Sequence, residues 1–180
     1  MGRAATQVTQ GRPGMGEFRP VPDVLGYLSG SWQVTRAVRD LASGAVGEFS
    51  GSTVFGPLDG GGLLHREAGI FVWQSVPRPA ERTLRFLPGP TPGTADVRFA
   101  DGRPFHDLDL TSGHWRTDHP CAADLYRGEF EVYDEDRWRT TWRVGGPAKE
   151  QLLVTDYARV AVAGTVLPAA RTAGHPGEPA

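Results

Sequence analysis

Arg36 is the first residue whose type and place point to chemistry. Trp32, Val34, Arg36 and Val38 recur at every second position, so in an extended strand all four share one face. A guanidinium on an apolar strand face is seldom buried without a partner. Two roles fit it: a fixed cation for a ligand carrying an anionic or carbonyl group, or half of a structural ion pair. Glu67 is the candidate partner. Asp124 and Tyr126 alternate in the same way with Gly128, Phe130 and Val132. A carboxylate beside a phenol in an apolar cavity can serve as general base and hydrogen-bond donor, because desolvation raises the carboxylate pKa. The competing role is a buried network that fixes one end of the fold. His106 alternates with Leu108 and Leu110 and away from Phe105 and Asp107. That makes it an inward histidine and the best-placed group for proton transfer, with a satisfied core histidine as the alternative.

His119, Pro120 and Cys121 follow one another and admit three readings. With His106 they supply part of a metal site, but no Cys-x-x-Cys or His-x-x-x-His spacing supports one, and no metal is expected. Cys121 with His119 as base is a thiol nucleophile. The preferred reading is a small buried cysteine, slow toward thiol reagents, beside a histidine that caps a loop. Trp138, Thr140, Trp142 and Val144 form one strand face, an aromatic wall; Arg137, Arg139, Thr141 and Arg143 form the other, a solvated exterior. Gly145-Gly146-Pro147 leads to Lys149 in a hairpin loop, with no helix behind it to make a phosphate site.

The chain that must position these groups has 180 residues, with 19 Lys+Arg against 21 Asp+Glu for a net charge of −2. That balance gives no footprint for nucleic acid. No apolar run reaches the roughly 18 residues of a membrane span, and no basic start with an apolar stretch marks a signal peptide. A single cysteine excludes an internal disulfide and fits a cytoplasmic protein. Arginine replaces lysine everywhere except Lys149, a bias of GC-rich bacterial coding.

Gly 24 and Pro 15 among aromatic and β-branched residues read as short strands joined by turns. A helical turn is predicted over Asp23 to Leu28, with Asp23 as N-cap. Nine strands follow: one from Trp32, one through Phe49 to Phe55, then 63–71, 83–87, 96–100, 104–110, 124–133, 138–145 and 151–163. Residues 1–21 and 168–180 lack periodicity and read as disordered tails, leaving 22–167 as one domain. Sequential antiparallel strands without long helices make a sandwich or a closed barrel.

Gly30-x-Trp32 after a helical turn, with Arg159 beside Tyr157 in the last strand, resembles the closure of lipocalin-type (calycin) barrels. The resemblance implies a Trp at the barrel floor beneath a late Arg. A second resemblance rests on Val97-x-Phe99-x-Asp101-Gly102-Arg103-x-Phe105-His106-x-Leu108, on His119-x-Cys121-x-x-Asp124-x-Tyr126-x-Gly128 and on Trp142-x-Val144-x-Gly146-Pro147-x-Lys149. These are similar to an uncharacterised bacterial and fungal family, domain of unknown function 6314. The likeness runs from Leu28-x-Gly30-x-Trp32 to Tyr157-x-Arg159 and departs from the family pattern at His65, where the family usually has Tyr. It implies a calycin-like fold and no particular activity.

The expected architecture is therefore an all-β, antiparallel, up-and-down calycin-like barrel of eight to ten strands, closed by Trp32 and Arg159. The expected function is lumen binding of a small organic molecule bearing an anionic or carbonyl group. Arg36, Glu67, Trp138, Trp142 and Phe130 would hold it, in a monomer or homodimer without cofactor. The alternative is a cofactor-independent isomerase, cyclase or hydrolase using His106, Asp124 and Tyr126. Haem carriage through His106 or His119 is a third, weaker reading.

Overall fold

The computed structural model describes residues 17–161. Asp23 starts the helical turn α1 (Val24–Leu28): its carboxylate accepts a hydrogen bond from the Gly26 N–H at 3.0 Å. Ten strands follow among the described residues: β1 (Gly30–Asp40), β2 (Val46–Pro57), β3 (Leu63–Trp73), β4 (Val76–Pro88), β5 (Thr94–Phe99), β6 (Pro104–Asp109), β7 (His114–Cys121), β8 (Asp124–Val132), β9 (Arg137–Gly145) and β10 (Glu150–Arg159). They form one antiparallel sheet, ordered β6-β5-β4-β3-β2-β1-β10-β9-β8-β7. The first strand pairs with the last, Trp32 opposite Arg159. No ladder joins β6 to β7. Side chains bridge that seam: the Thr117 hydroxyl donates to Asp107 Oδ1 at 2.8 Å, and Trp115 Nε1–H donates to the Asp107 carbonyl at 3.2 Å. The result is a nearly closed up-and-down barrel. No described helix is long and apolar enough to cross a membrane.

The tenth strand is β7, which the alternation pattern missed. It lies at the seam and buries only Thr117, so its inward face carries too few apolar residues to show a period of two. β4 begins earlier than predicted. Gln74 and Ser75 take left-handed φ values of 48° and 67°, the geometry of a tight hairpin turn. Pro77 and Pro79 then fall in the half of β4 that has no ladder beyond it, since β5 pairs only with Leu84 to Pro88. An edge tolerates proline because no bond is lost there. β10 stops at Arg159, short of the predicted 163, and residues 1–16 and 162–180 lie outside the described residues. Residues 17–21, read from sequence as tail, pack against the barrel. The Arg19 N–H donates to the Val132 carbonyl at 2.8 Å, the Val21 N–H donates to the Leu110 carbonyl at 2.9 Å, and Val21 is buried.

One end of the barrel is sealed. Val24 and Leu28 of α1 join Trp32, Val34 and Phe55 in the core, and Trp32 Nε1–H donates to the Leu28 carbonyl at 2.8 Å. Above this floor β2 and β3 approach closely where Gly51 faces Gly69. A Cβ on Gly51 would strike the Ala68 carbonyl oxygen and one on Gly69 the Ser50 carbonyl oxygen, and either would also crowd the Phe49 ring; that ring lies 5.1 Å from the Arg36 guanidinium carbon.

Candidate functional site in the barrel lumen

Inward residues from most of the strands enclose a cavity of about 110 Å3. Trp138, Thr140, Trp142 and Val144 of β9 all line it, as do Phe130 and Tyr126 of β8 and His106 of β6. A second, wider chamber of about 490 Å3 lies against Phe71, Trp73, Glu67 and Gln151 and shares Arg36, Arg82 and Leu153 with the first. A larger concavity of about 1010 Å3 runs over the outer face of β1, β2, β3 and β10, against Ile70, Val72, Leu152 and Val154. The buried polar groups belong to the lumen, so the lumen is the candidate site.

The boundary between the two inner chambers is an ion cluster. Arg36 Nη1–H and Nη2–H donate to the two carboxylate oxygens of Glu67 at 2.9 and 2.8 Å, and Arg36 Nε–H donates to the Thr155 hydroxyl at 2.8 Å. Arg82 Nη2 reaches the same carboxylate at 3.4 Å. Glu67 is only 4% exposed. Burial works against its charge, yet the neighbouring Arg82 and Arg36 hold its pKa below the ordinary carboxylate value. Burial also works against the charge of Arg36, and contact with Tyr157 and Glu67 outweighs it. All three nitrogens of Arg36 thus donate within the fold.

His65, two residues before Glu67, is 2% exposed and lies against Phe55 and Phe86. Burial, with Arg82 nearby, pushes its pKa down to about 3, so it is neutral. His106 packs against Phe105, Phe130 and Trp142, and burial lowers its pKa to about 4. Its Nδ1 lies 2.8 Å from the Asp107 carbonyl. A carbonyl can only accept, so Nδ1 carries the proton and Nε2 is an acceptor. Among the described residues, three buried polar atoms of the lumen have no hydrogen-bond partner: His65 Nδ1, Arg82 Nε and Trp138 Nε1.

The structure therefore gathers Arg36, His106, Tyr126, Phe130, Trp138 and Trp142 around the inner chamber and Arg36 with Glu67 around the outer one. Asp124 lines neither. It binds Lys149 Nζ at 2.7 Å, and the same ammonium donates to the Tyr126 hydroxyl at 3.2 Å. These contacts, Asp124 foremost, raise the Lys149 pKa. Phe105, assigned by strict alternation to the opposite face from His106, lines the inner chamber with it. A register shift between Val97 and Arg98, opposite the start of β6, breaks the alternation. Cys121, expected from sequence to be buried, is exposed, because the β7–β8 turn at Ala122 leaves it at the hairpin tip. His119 meets Phe105 edge-on at 5.0 Å and makes wider edge contacts with Phe99 and Tyr126.

Sequence reasoning missed Arg82. The signal was present, since Arg82 alternates with Leu84 and Phe86, but a strand begun at residue 83 leaves it in the preceding turn. His65 drew notice only as a departure from the family pattern, although it alternates with Leu63 and Glu67.

Among solved structures the fold is similar to the S-type phycobiliprotein lyase CPES from Guillardia theta, with a TM-score of 0.60 and 8% identity over 77% of this chain and 91% of that one. It is also similar to a protein of unknown function from the DUF3598 family of Nostoc punctiforme, with a TM-score of 0.57 and 14% identity. That match covers 79% of this chain and 51% of the other, so the chain spans about half the length of that relative. At these identities the likeness is one of fold. No curated protein matches the sequence. Over residues 28–159, nearly the whole barrel, the sequence matches the family of unknown function DUF6314, and the chain belongs to that family.

Proposed function

We propose that this barrel binds a small organic molecule in its two-chambered lumen, through an anionic or carbonyl group that accepts hydrogen bonds. The observation that carries the reading is the set of unpartnered polar atoms on His65, Arg82 and Trp138, all residues of one cavity. A buried donor without an acceptor costs about 1–3 kcal/mol, and a bound carbonyl or carboxylate removes that cost. The two chambers together fall within the roughly 300–1,000 Å3 typical of small-molecule sites. Trp138, Trp142 and Phe130 supply the apolar wall, and Arg36 with Glu67 hold the strands that frame it. Acid–base turnover by His106, Asp124 and Tyr126 draws less support. Asp124 is held by Lys149 away from both chambers, and His106 has a proton affinity well below that of a base poised for neutral pH.

Native mass spectrometry of the purified protein tests the proposal, together with thermal shift against a panel of small carboxylates and carbonyl compounds. A mass increment or a raised melting temperature is expected, and Leu153→Trp, which fills the wall shared by both chambers, should remove it. If no molecule co-purifies and no compound shifts melting, lumen binding is wrong.

A further inference from the structure

Resting on the lumen reading, we infer that the ligand is a flat, conjugated monoanion whose charged group docks on Arg82, which lines both chambers, and whose body lies across the two chambers against the rings that line them. Charge is the first ground. Arg36 and Arg82 share one carboxylate, Glu67, and the two buried histidines beside them are neutral at pH 7. The cluster thus holds one uncompensated positive charge. Glu81, the other carboxylate lining the outer chamber, is solvent-exposed and so is screened from the cluster. The excess charge sits on Arg82, whose side chain is 39% exposed and so is met by water in the free protein; one negative charge on the ligand takes the place of that water and balances it.

Hydrogen-bond capacity decides which arginine is used. Arg36 spends its Nε on Thr155 and both Nη atoms on Glu67. Arg82 spends only one long contact, 3.4 Å, and its buried Nε–H has no acceptor. A carboxylate, or an enolate or phenolate oxygen, completes that edge of the guanidinium. Trp138 Nε1–H is a second donor aimed at nothing within the fold, which suits an acceptor-rich ligand.

Shape is the third ground. Stacked aromatic pairs line both chambers: Trp138 on Tyr157, 3.7 Å apart at 5°, and Phe105 on Trp142, 5.4 Å apart at 14°, in the inner one, and Phe71 on Trp73, 6.0 Å apart at 24°, in the outer one. Parallel rings present flat walls, and a planar conjugated body matches them at lower conformational cost than a flexible chain.

Isothermal titration with four probes tests this: 2-naphthoate, its neutral analogue 2-naphthamide, the flexible anion decanoate, and the dianion 2,6-naphthalenedicarboxylate. 2-Naphthoate should bind at least tenfold tighter than each of the others. Arg82→Met should remove its advantage over 2-naphthamide, and Arg82→Lys, which keeps the charge without the fork, should restore part of it. Retained melting transitions will show that both variants fold. Equal affinity for 2-naphthamide or decanoate, or unchanged 2-naphthoate affinity in Arg82→Met, overturns the inference and leaves lumen binding standing. If no probe binds while a different class of molecule co-purifies, the inference again falls alone. If no probe binds and nothing co-purifies, it falls together with the proposed function.

Discussion

The guanidinium carbon of Arg159 lies 4.1 Å from the centre of the Trp32 ring, where the last strand pairs with the first. The same guanidinium donates to three carbonyls: Nη2–H to Tyr27 at 2.7 Å, Nη1–H to Ser29 at 3.1 Å, and Nε–H to Glu135 at 3.2 Å. One side chain thus ties α1, the β8–β9 loop and the barrel floor together. Arg159→Ala should cost about 2–3 kcal/mol, combining a lost cation–π contact with carbonyls left unpaired. Urea denaturation measures it; a loss under about 0.5 kcal/mol would show that the floor holds without this contact.

Glu67 lies between Arg36 and Arg82, and its removal should be the most damaging single change in the lumen. Glu67→Gln leaves two cations facing each other and should cost about 3–5 kcal/mol. The double variant Arg36→Leu/Glu67→Leu should cost less than Glu67→Gln alone, because Arg82 is partly exposed and can turn to water. Chemical denaturation of the two variants gives the comparison; a larger loss in the double variant would mean that packing, not charge, dominates there.

Acid should unfold the barrel earlier than its carboxylates alone would require. His65 and His106 are neutral in the fold, with pKa values near 3 and 4, and take up protons around pH 6.5 once unfolded. Their contribution is whole above about pH 6.5 and is lost as pH falls toward those values. With two protons involved, stability should drop by about 2–3 kcal/mol per pH unit between roughly pH 6 and 4.5. His106→Phe should halve the slope. A flat profile down to pH 5 would place both rings in contact with water.

Gly128 of β8 faces Trp142 of β9. A Cβ there would sit 2.7 Å from the Trp142 ring. Gly128→Ala should force that ring off Phe105, with a loss of about 1–3 kcal/mol. The displaced ring should also lower affinity for any lumen ligand, read by titration and by a changed tryptophan emission. Unchanged emission would show that the ring was free to move.

Cys121 is exposed at the tip of the β7–β8 hairpin. It should react with an aromatic disulfide reagent within minutes in the native state, with no change in melting temperature. Labelling only after denaturation would contradict the hairpin geometry.

Strand alternation by itself determined the barrel's face assignments. Trp32, Val34 and Arg36 on β1, and Trp138, Thr140, Trp142 and Val144 on β9, point inward because successive side chains in a strand alternate whatever surrounds them. It also implied Glu67 as the partner of Arg36, since a guanidinium on an apolar face needs a carboxylate. Parity says which face a side chain takes, not how deep along the barrel it sits. Asp124 has inward parity with Tyr126, yet it lies at the strand's end, where the β9–β10 loop brings Lys149 to it. Depth depends on the register between strands far apart in sequence, and only the closed sheet sets that. The same holds for Arg82: its meeting with Glu67 required β3 and β4 to pair with those two residues opposite one another. β7 stayed hidden because a strand at the seam buries too little to leave a period in its residues. The sequence alone thus determined the class of the fold and the faces of its strands. Which inward groups meet was decided by tertiary register.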